Sequence, residues 1–403
     1  IAQVAEVIPS WGGMTREEGK AISVPAAERA MELAPDMGES HLALAMTLEG
    51  EAALMQFEKA VQMLPNHAMA HQWYANNLQG PPGPNWLKAL ELLRQAEELD
   101  PVSPNHRAQV ARQLIFMNRF AEAEQKLRVL LESDPDYVPT IGFMSWLTAG
   151  LGSLDQSVQW GQRYLVADAQ VEFPKFGIAF NLLDLQDRSR LETLAQAWEA
   201  IDLNDPAARL ARTMIALLDR RYDAMLELAG HEGQDGLFTT AWAHTYAKNY
   251  PSAFQAWQQA VPGFFAENER RNAIRQSANL GCLVADVARR VGEVELADKL
   301  ASETVAFATE ELPKYQEHAA ANSRLSRCLA FLGDFDGALE QLETNLRHRH
   351  FDLWWEPRRL ELFAPLHGDP RFEDLMQAFE NEMARQRANL DRLENPSSEG
   401  AGP

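Results

Sequence analysis

Apolar residues recur every three to four positions along most of the chain, the spacing that places them on one face of a helix. Ala123, Leu127 and Leu130 form one such stripe. A short phrase centred on proline interrupts the pattern: Leu33-Ala34-Pro35-Asp36, Met63-Leu64-Pro65-Asn66, Leu99-Asp100-Pro101-Val102 and Ser133-Asp134-Pro135-Asp136. These prolines, 35, 65, 101 and 135, are spaced by 30, 36 and 34 residues. Proline lacks an amide hydrogen and clashes with the preceding turn, so each phrase closes one helix and can open the next. Two amphipathic helices fit between successive prolines. In the copy ending at Pro135 they are predicted over 104–117 and 120–132, with Asn118-Arg119 as the turn.

The second helix of each pair carries a further signature, a small residue, then a large apolar one, then a small one. Ala53, Phe57 and Ala60 precede Pro65, and Ala89, Leu93 and Ala96 precede Pro101. The pattern returns as Ala253, Trp257 and Ala260. Gly292 to Ala297 with Ala301, and Gly333 to Ala338 with Leu342, read as a turn followed by a second helix. Small residues at these positions let two helices approach closely. A period near 34 with two helices per unit is that of the tetratricopeptide repeat. The expected fold is therefore all-α, a tetratricopeptide-type α-α superhelix, built as a right-handed solenoid of helix hairpins.

Organisation follows from where the phrase is strong. Residues 1–170 read as an N-terminal repeat array, 171–265 as degenerate helical repeats, and 266–394 as C-terminal hairpins with a capping element. Residues 395–403 are Ser, Gly and Pro, with too few apolar groups to order themselves. The 30-residue copy is shortened around Gly50, and the next carries Gly80-Pro81-Pro82-Gly83-Pro84-Asn85 at the same place, a stiff turn. Residues 232–236, Glu-Gly-Gln-Asp-Gly, are the best candidate for an internal linker.

Charge narrows the partner. Lys plus Arg is 37 against 58 for Asp plus Glu, giving a net charge of −21. Such a surface repels phosphate backbones and anionic headgroups, so a protein or peptide is expected as partner, and no nucleic acid. No run of 18 apolar residues suggests a membrane span. The chain begins at Ile1, which suggests a processed product or a piece of a longer protein.

His71-Gln72-Trp73-Tyr74-Ala75-Asn76-Asn77-Leu78, following Pro65-Asn66, resembles a recurrent repeat of bacterial tetratricopeptide proteins, in which the repeats follow an adenylate cyclase, winged-helix regulator or kinase module. Phe363-Ala364-Pro365-Leu366-His367-Gly368-Asp369-Pro370-Arg371-Phe372 is similar to the closing element of that group. The resemblance covers most of 20–165 and 317–380. It implies an interaction or sensory portion of a larger signalling or regulatory protein. It carries over no catalytic residue, because none of those upstream modules is present. In compartment it implies a periplasmic chain beyond an upstream membrane anchor, whereas two unpaired cysteines, Cys282 and Cys328, would suit a reducing cytoplasm.

The family rule places positions 2, 5, 9 and 12 of each first helix on the concave face. This nominates Gln72, Asn76, Asn105, Arg112 and Trp146 as partner-binding residues. Amides can bond an extended peptide backbone, arginine can pair a carboxylate and tryptophan can cover apolar side chains. An alternative is a small-ligand sensor with a pocket in 171–265, suggested by Phe173, Phe176, Phe180, Trp198, Phe238, Trp242 and Trp257. A second alternative is an enzyme of unrecognised type. No GxSxG, Walker A, GxGxxG or HExxH occurs, so no catalysis, cofactor or metal is expected.

The remaining candidates have plainer readings. His67 and His71 are four apart but lack a completing carboxylate, and read as the start of a first helix. His348-Arg349-His350 reads as a basic helix C-terminus. Trp354-Trp355 reads as the cover of the last hairpin. Arg270-Arg271, Arg289-Arg290 and Arg358-Arg359 read as solvated helix surface. Cys282 and Cys328, placed in the frame of Ala297 and Ala338, sit five residues out of step on neighbouring first helices. That is about 7.5 Å along the axis and about 140° around it, whereas a disulfide needs Cα atoms within about 6.8 Å. Two free thiols are therefore expected.

Overall fold

Helix ends dominate this architecture, because each helix leaves its last carbonyls without an intrahelical partner. The computed structural model describes residues 15–78, 85–167, 173–230, 233–317 and 325–394, with the side chains of Arg16 and Phe173 outside that description. Among the described residues there are helices and no strand. They form two compact units, Ile1–Ser133 and Asp134–Pro403.

The first unit contains α1 (Arg16–Leu33), α2 (Gly38–Thr47), α3 (Gly50–Met63), α4 (Ala68–Asn77), α5 (Trp86–Leu99), α6 (Pro104–Phe116) and α7 (Phe120–Ser133). The second contains α8 (Val138–Gly150), α9 (Leu154–Ala167), α10 (Phe173–Asp184), α11 (Arg188–Glu199), α12 (Pro206–Leu218), α13 (Tyr222–Ala229), α14 (Gln234–Tyr246), α15 (Tyr250–Ala260), α16 (Arg270–Arg290), α17 (Val294–Ala306), α18 (Leu325–Phe331), α19 (Phe335–Arg347) and α20 (Pro370–Glu394). The helices pack as antiparallel hairpins of tetratricopeptide type, and the pair expected on either side of Asn118-Arg119 is α6 and α7.

The small–large–small stripe is the core. Ala53, Phe57, Ala60, Ala89, Leu93, Ala96, Ala123, Leu127, Ala253, Trp257, Ala297, Ala301 and Ala338 are all essentially inaccessible. Each large side chain fully buried this way contributes about 1.5–3 kcal/mol. The same role falls to Val158 with Gly161 on α9 and, in the segment read as degenerate, to Leu191, Ala195 and Trp198 on α11.

The turn within seven of the described hairpins, from α6–α7 onward, is set by one residue in the left-handed region: Asn118, Gly152, Gln186, Arg220, Lys248, Gly292 and Gly333. Each closes the same pair of bonds; Asn118 N–H donates to Ile115 O and Arg119 N–H to Leu114 O, and the other turns repeat this. This is the Schellman arrangement, which satisfies two orphan carbonyls. Positions 118, 152, 186 and 220 are spaced by 34, so the repeat period runs into the segment where the proline phrase has lapsed. The reach from proline to the following first helix is also standardised. His41 Nε2 lies 3.1 Å from Pro35 O and His71 Nε2 3.0 Å from Pro65 O. His67 caps α4 by accepting from Ala70 N–H, in keeping with a structural role for both histidines.

In the second unit residues 349–394 lie across these turns. Arg349 Nε donates to Leu151 O (3.1 Å) and its Nη2 to Gly152 O (2.9 Å). Gln386 joins Gly152 O to the Asp155 amide. Trp354 Nε1 donates to Asp184 O (2.7 Å), Arg387 to Leu185 O, and Arg359 to Leu217 O (2.7 Å). Gly152 is needed here, since a Cβ on it would collide with the Arg349 carbonyl oxygen. A buried ion pair, Arg327 with Glu356, accepts a third partner in the Tyr246 hydroxyl, 2.5 Å from Glu356 Oε1.

Several expectations are corrected. Trp354 and Trp355 are buried, with Trp354 over the α10–α11 turn instead of closing the last hairpin. His348 does cap α19, but Arg349 adopts φ +59° and reaches the α8–α9 turn. The arginine pairs are not simply solvated: Arg270 is buried and bonds Phe264 O, Arg289 bonds Phe331 O, and Arg359 packs over Trp355. The proposed linker 232–236 is helical from Gln234, with Glu232 outside the described residues. Residues 80–84 and 395–403 also lie outside them, so the stiff turn and the disordered tail are not addressed.

The thiols are corrected too. Cys282 and Cys328 form a disulfide, with Cα atoms 5.1 Å apart and both residues buried. The register was counted as though α16 and α18 ran side by side. Arg289 of α16 reaches Phe331 O, while Arg327 of α18 reaches Asn279 O. Contacts four residues apart on α18 thus map to contacts ten apart on α16, so the helices cross and the offset closes. Titration of the denatured, unreduced protein should show no reactive thiol. The bridge closes a loop of 46 residues, and its reduction should lower the unfolding free energy by about 2–4 kcal/mol in denaturant melts of the full chain.

Candidate binding face on the first helices

Two first helices, α4 and α6, carry polar residues along one stripe. On α6 the stripe comprises Asn105, Gln109 and Arg112, four and three residues apart and each half-buried. On α4 it comprises Gln72 and Asn76, one turn apart. The structure joins these two helices through the predicted residues themselves. Asn105 Nδ2 donates to Gln72 Oε1 (3.1 Å), the same oxygen lies 2.5 Å from His106 Nδ1, and Arg112 Nη2 donates to Asn76 Oδ1 (2.8 Å). Four of the five nominated residues therefore pair across the two helices, Asn105 with Gln72 and Arg112 with Asn76, while Gln72 is buried and acts mainly as a floor.

Two atoms of the α6 stripe stand out. Arg112 Nε and Gln109 Oε1 are buried and have no hydrogen-bond partner among the described residues. Such groups cost about 1–3 kcal/mol each unless something supplies the missing bond. Burial also pushes the Arg112 guanidinium down to about 10, because the charged form has lost hydration without gaining a carboxylate. The Phe116 ring lies 5.7 Å from the guanidinium carbon. His106 is shifted down as well, mainly by burial, with Asp100 opposing from 3.8 Å.

Trp146, the fifth residue, stands on α8 in the second unit beside Phe143, their ring centroids 5.4 Å apart. Counting back six residues from each left-handed turn residue gives Arg112, Trp146 and Phe180, then Met214, which is buried. Phe180 is 50% exposed, so α8 and α10 carry neighbouring aromatics in the same frame. Sequence reasoning grouped Phe180 with a pocket and passed over Gln109; the signals were the 34-residue spacing 112, 146, 180 and the helical step from Asn105. Of the other aromatics, Trp198 and Trp257 are buried, and Phe238 and Trp242 pack against Trp257. They are core elements.

A separate cleft of about 660 Å³ lies between α9 and α20, lined by Gln156, Gln159, Trp160, Arg163, Asn389 and Arg392. The Arg163 guanidinium sits 5.2 Å from the Trp160 ring. No group of three His, Cys, Asp or Glu that could hold a metal occurs among the described residues. No described helix is long and apolar enough to cross a membrane.

No protein-family model matches the chain, and no curated protein matches it. Solved structures that align with it include a monomeric IFIT1 variant with m7Gppp-AAAA, at 13% identity and a TM-score of 0.43, covering 97% of this chain and 80% of that one. The human IFIT1 dimer with the same ligand aligns at 15% identity and 0.40, covering 86% and 80%. Likeness at this level carries no inference about what this chain binds.

The lowered His106 has a thermodynamic consequence. A histidine whose folded pKa is below its unfolded value, about 6.5, leaves the unfolded state holding more protons. Its stabilising contribution is complete above about pH 6.5 and is lost as pH falls through the folded pKa. Urea melts at pH 7.5 and 5.5 should show a loss of stability that shrinks in His106→Gln; an equal loss in both proteins would contradict the assignment.

Proposed function

We propose that this chain is a protein- or peptide-binding repeat scaffold, the interaction part of a larger bacterial signalling or regulatory protein, and that it performs no catalysis. The observation that carries the reading is the pair of buried, unpartnered atoms, Arg112 Nε and Gln109 Oε1, on the polar stripe of α6. A donor and an acceptor three residues apart on one helix suit a peptide group, which offers one of each. In the second unit, taken by itself, Trp146 and Phe180 offer apolar area on the corresponding first helices α8 and α10. The net charge of −21 favours a protein partner over nucleic acid. The buried disulfide favours the oxidising side of the compartment question, since such bonds persist outside reducing cytoplasm.

Affinity capture from the source cell with the wild-type chain should enrich specific partners, and Arg112→Glu with Trp146→Ala should lose them while helicity is retained. Capture unchanged by both substitutions would show that the face is assigned wrongly.

A small-ligand reading has one observation in its favour, the cleft between α9 and α20, whose volume suits a metabolite. It lies outside 171–265, where a pocket was expected. A metabolite at a hundredfold excess over its dissociation constant adds about 2.7 kcal/mol of stability; a thermal-shift panel in which Trp160→Ala abolishes a hit would favour this reading, and a flat panel would oppose it.

A further inference from the structure

We propose that the loop edge of the first unit is a second interaction surface, a docking ridge for a basic amphipathic helix of a protein partner. The ridge is built by the loops that join α1 to α2, α3 to α4 and α5 to α6. They expose Leu33, Met37, Met63, Met69, Leu99 and Val102, from 38% to 86% accessible. The first two loops touch: a Cβ on Gly38 would come within 2.5 Å of Leu64 Cγ and 3.0 Å of Met63 Cβ. His41 and His71 hold the loops to their prolines. The apolar groups are thus presented by fixed backbone. Contiguous exposed apolar groups mark interaction sites, and methionines adapt to a partner's shape.

Charge decides the kind of partner. Asp36, Glu39 and Glu98 are exposed beside the ridge and make no ion pair with lysine or arginine among the described residues. Within four residues of these loops the sequence holds one cation, Arg107, against Asp36, Glu39, Glu98 and Asp100, with Glu32 paired to Arg29 and Glu97 to Lys126. Anionic lipid and nucleic acid are repelled by such a field, and cations are drawn to it. Spacing favours a helix. Adjacent packed helices stand about 8–10 Å apart, so successive loops repeat near that distance. Apolar residues seven apart on one face of a helix are about 10.5 Å apart. A helix with an apolar stripe and lysines or arginines flanking it meets both conditions. This surface is independent of the stripe carrying Arg112.

The test uses the full chain and a fluorescein-labelled amphipathic leucine–lysine helix, read by anisotropy, with a scrambled peptide of the same composition as control. Met63→Asp with Val102→Asp should weaken binding at least about tenfold. Both changes add negative charge, so attraction by charge alone would tighten. Ile201→Asp with Leu203→Asp, also exposed but in the second unit, should leave affinity unchanged. Met63→Ser with Val102→Ser serves if the aspartates disturb folding, and should act in the same direction. Unchanged or tighter binding by the ridge variants, or equal binding of the scrambled peptide, overturns the proposal. So does self-association of the chain in sedimentation that the ridge variants abolish, which would make the ridge a contact between copies.

Discussion

The need to satisfy carbonyl groups at helix C-termini organises this protein. A chain made of short helices creates such ends repeatedly, and each would cost free energy if buried without a partner. The left-handed residue in seven of the turns closes two of them through backbone amides. In the second unit the next carbonyls are met by side chains from far along the sequence: Arg349 and Gln386 at Gly152, Trp354 at Asp184, Arg387 at Leu185 and Arg359 at Leu217. The C-terminal segment is therefore part of the repeat structure, holding successive turns in place as well as covering apolar surface with Phe372, Met376, Phe379 and Met383.

The same requirement explains why the arginines behave as they do. A guanidinium offers five donors in a planar fork and can bond a carbonyl while stacking on an aromatic ring. Arg289 does both with Phe331, and Arg359 bonds Leu217 O while lying over Trp355. Arg112 departs from this economy. It bonds Asn76 and lies near Phe116, and its Nε is left without a hydrogen-bond partner among the described residues, as is Gln109 Oε1 three residues earlier on the same helix.

Hairpin packing leaves two distinct surfaces on the first unit. The stripe of α4 and α6 is polar and networked, suited to orienting a peptide backbone. The loop edge is apolar and acidic, suited to a partner that brings its own secondary structure. Both arise from the repeat: helix periodicity sets the first, and the recurrence of the proline loops sets the second.

The sequence by itself determined the hairpins and their core. Proline positions and the stripe of Ala, large apolar and Ala are local, and every such stripe is buried; Gln72, Asn76, Asn105 and Arg112 came from the family rule for the concave face, and the structure shows them paired across α4 and α6. The 34-residue period in the middle was harder to read, because Gln186, Arg220 and Lys248 occupy the left-handed turn position where glycine would have announced it. What only the tertiary structure decided is non-local. The destination of Arg349 and Trp354, the triad of Arg327, Glu356 and Tyr246, and the bridge between Cys282 and Cys328 all depend on how helices cross. Periodicity fixes which face of a helix is buried, but carries no information on the angle at which a neighbour lies across it, and that angle brings these distant residues together.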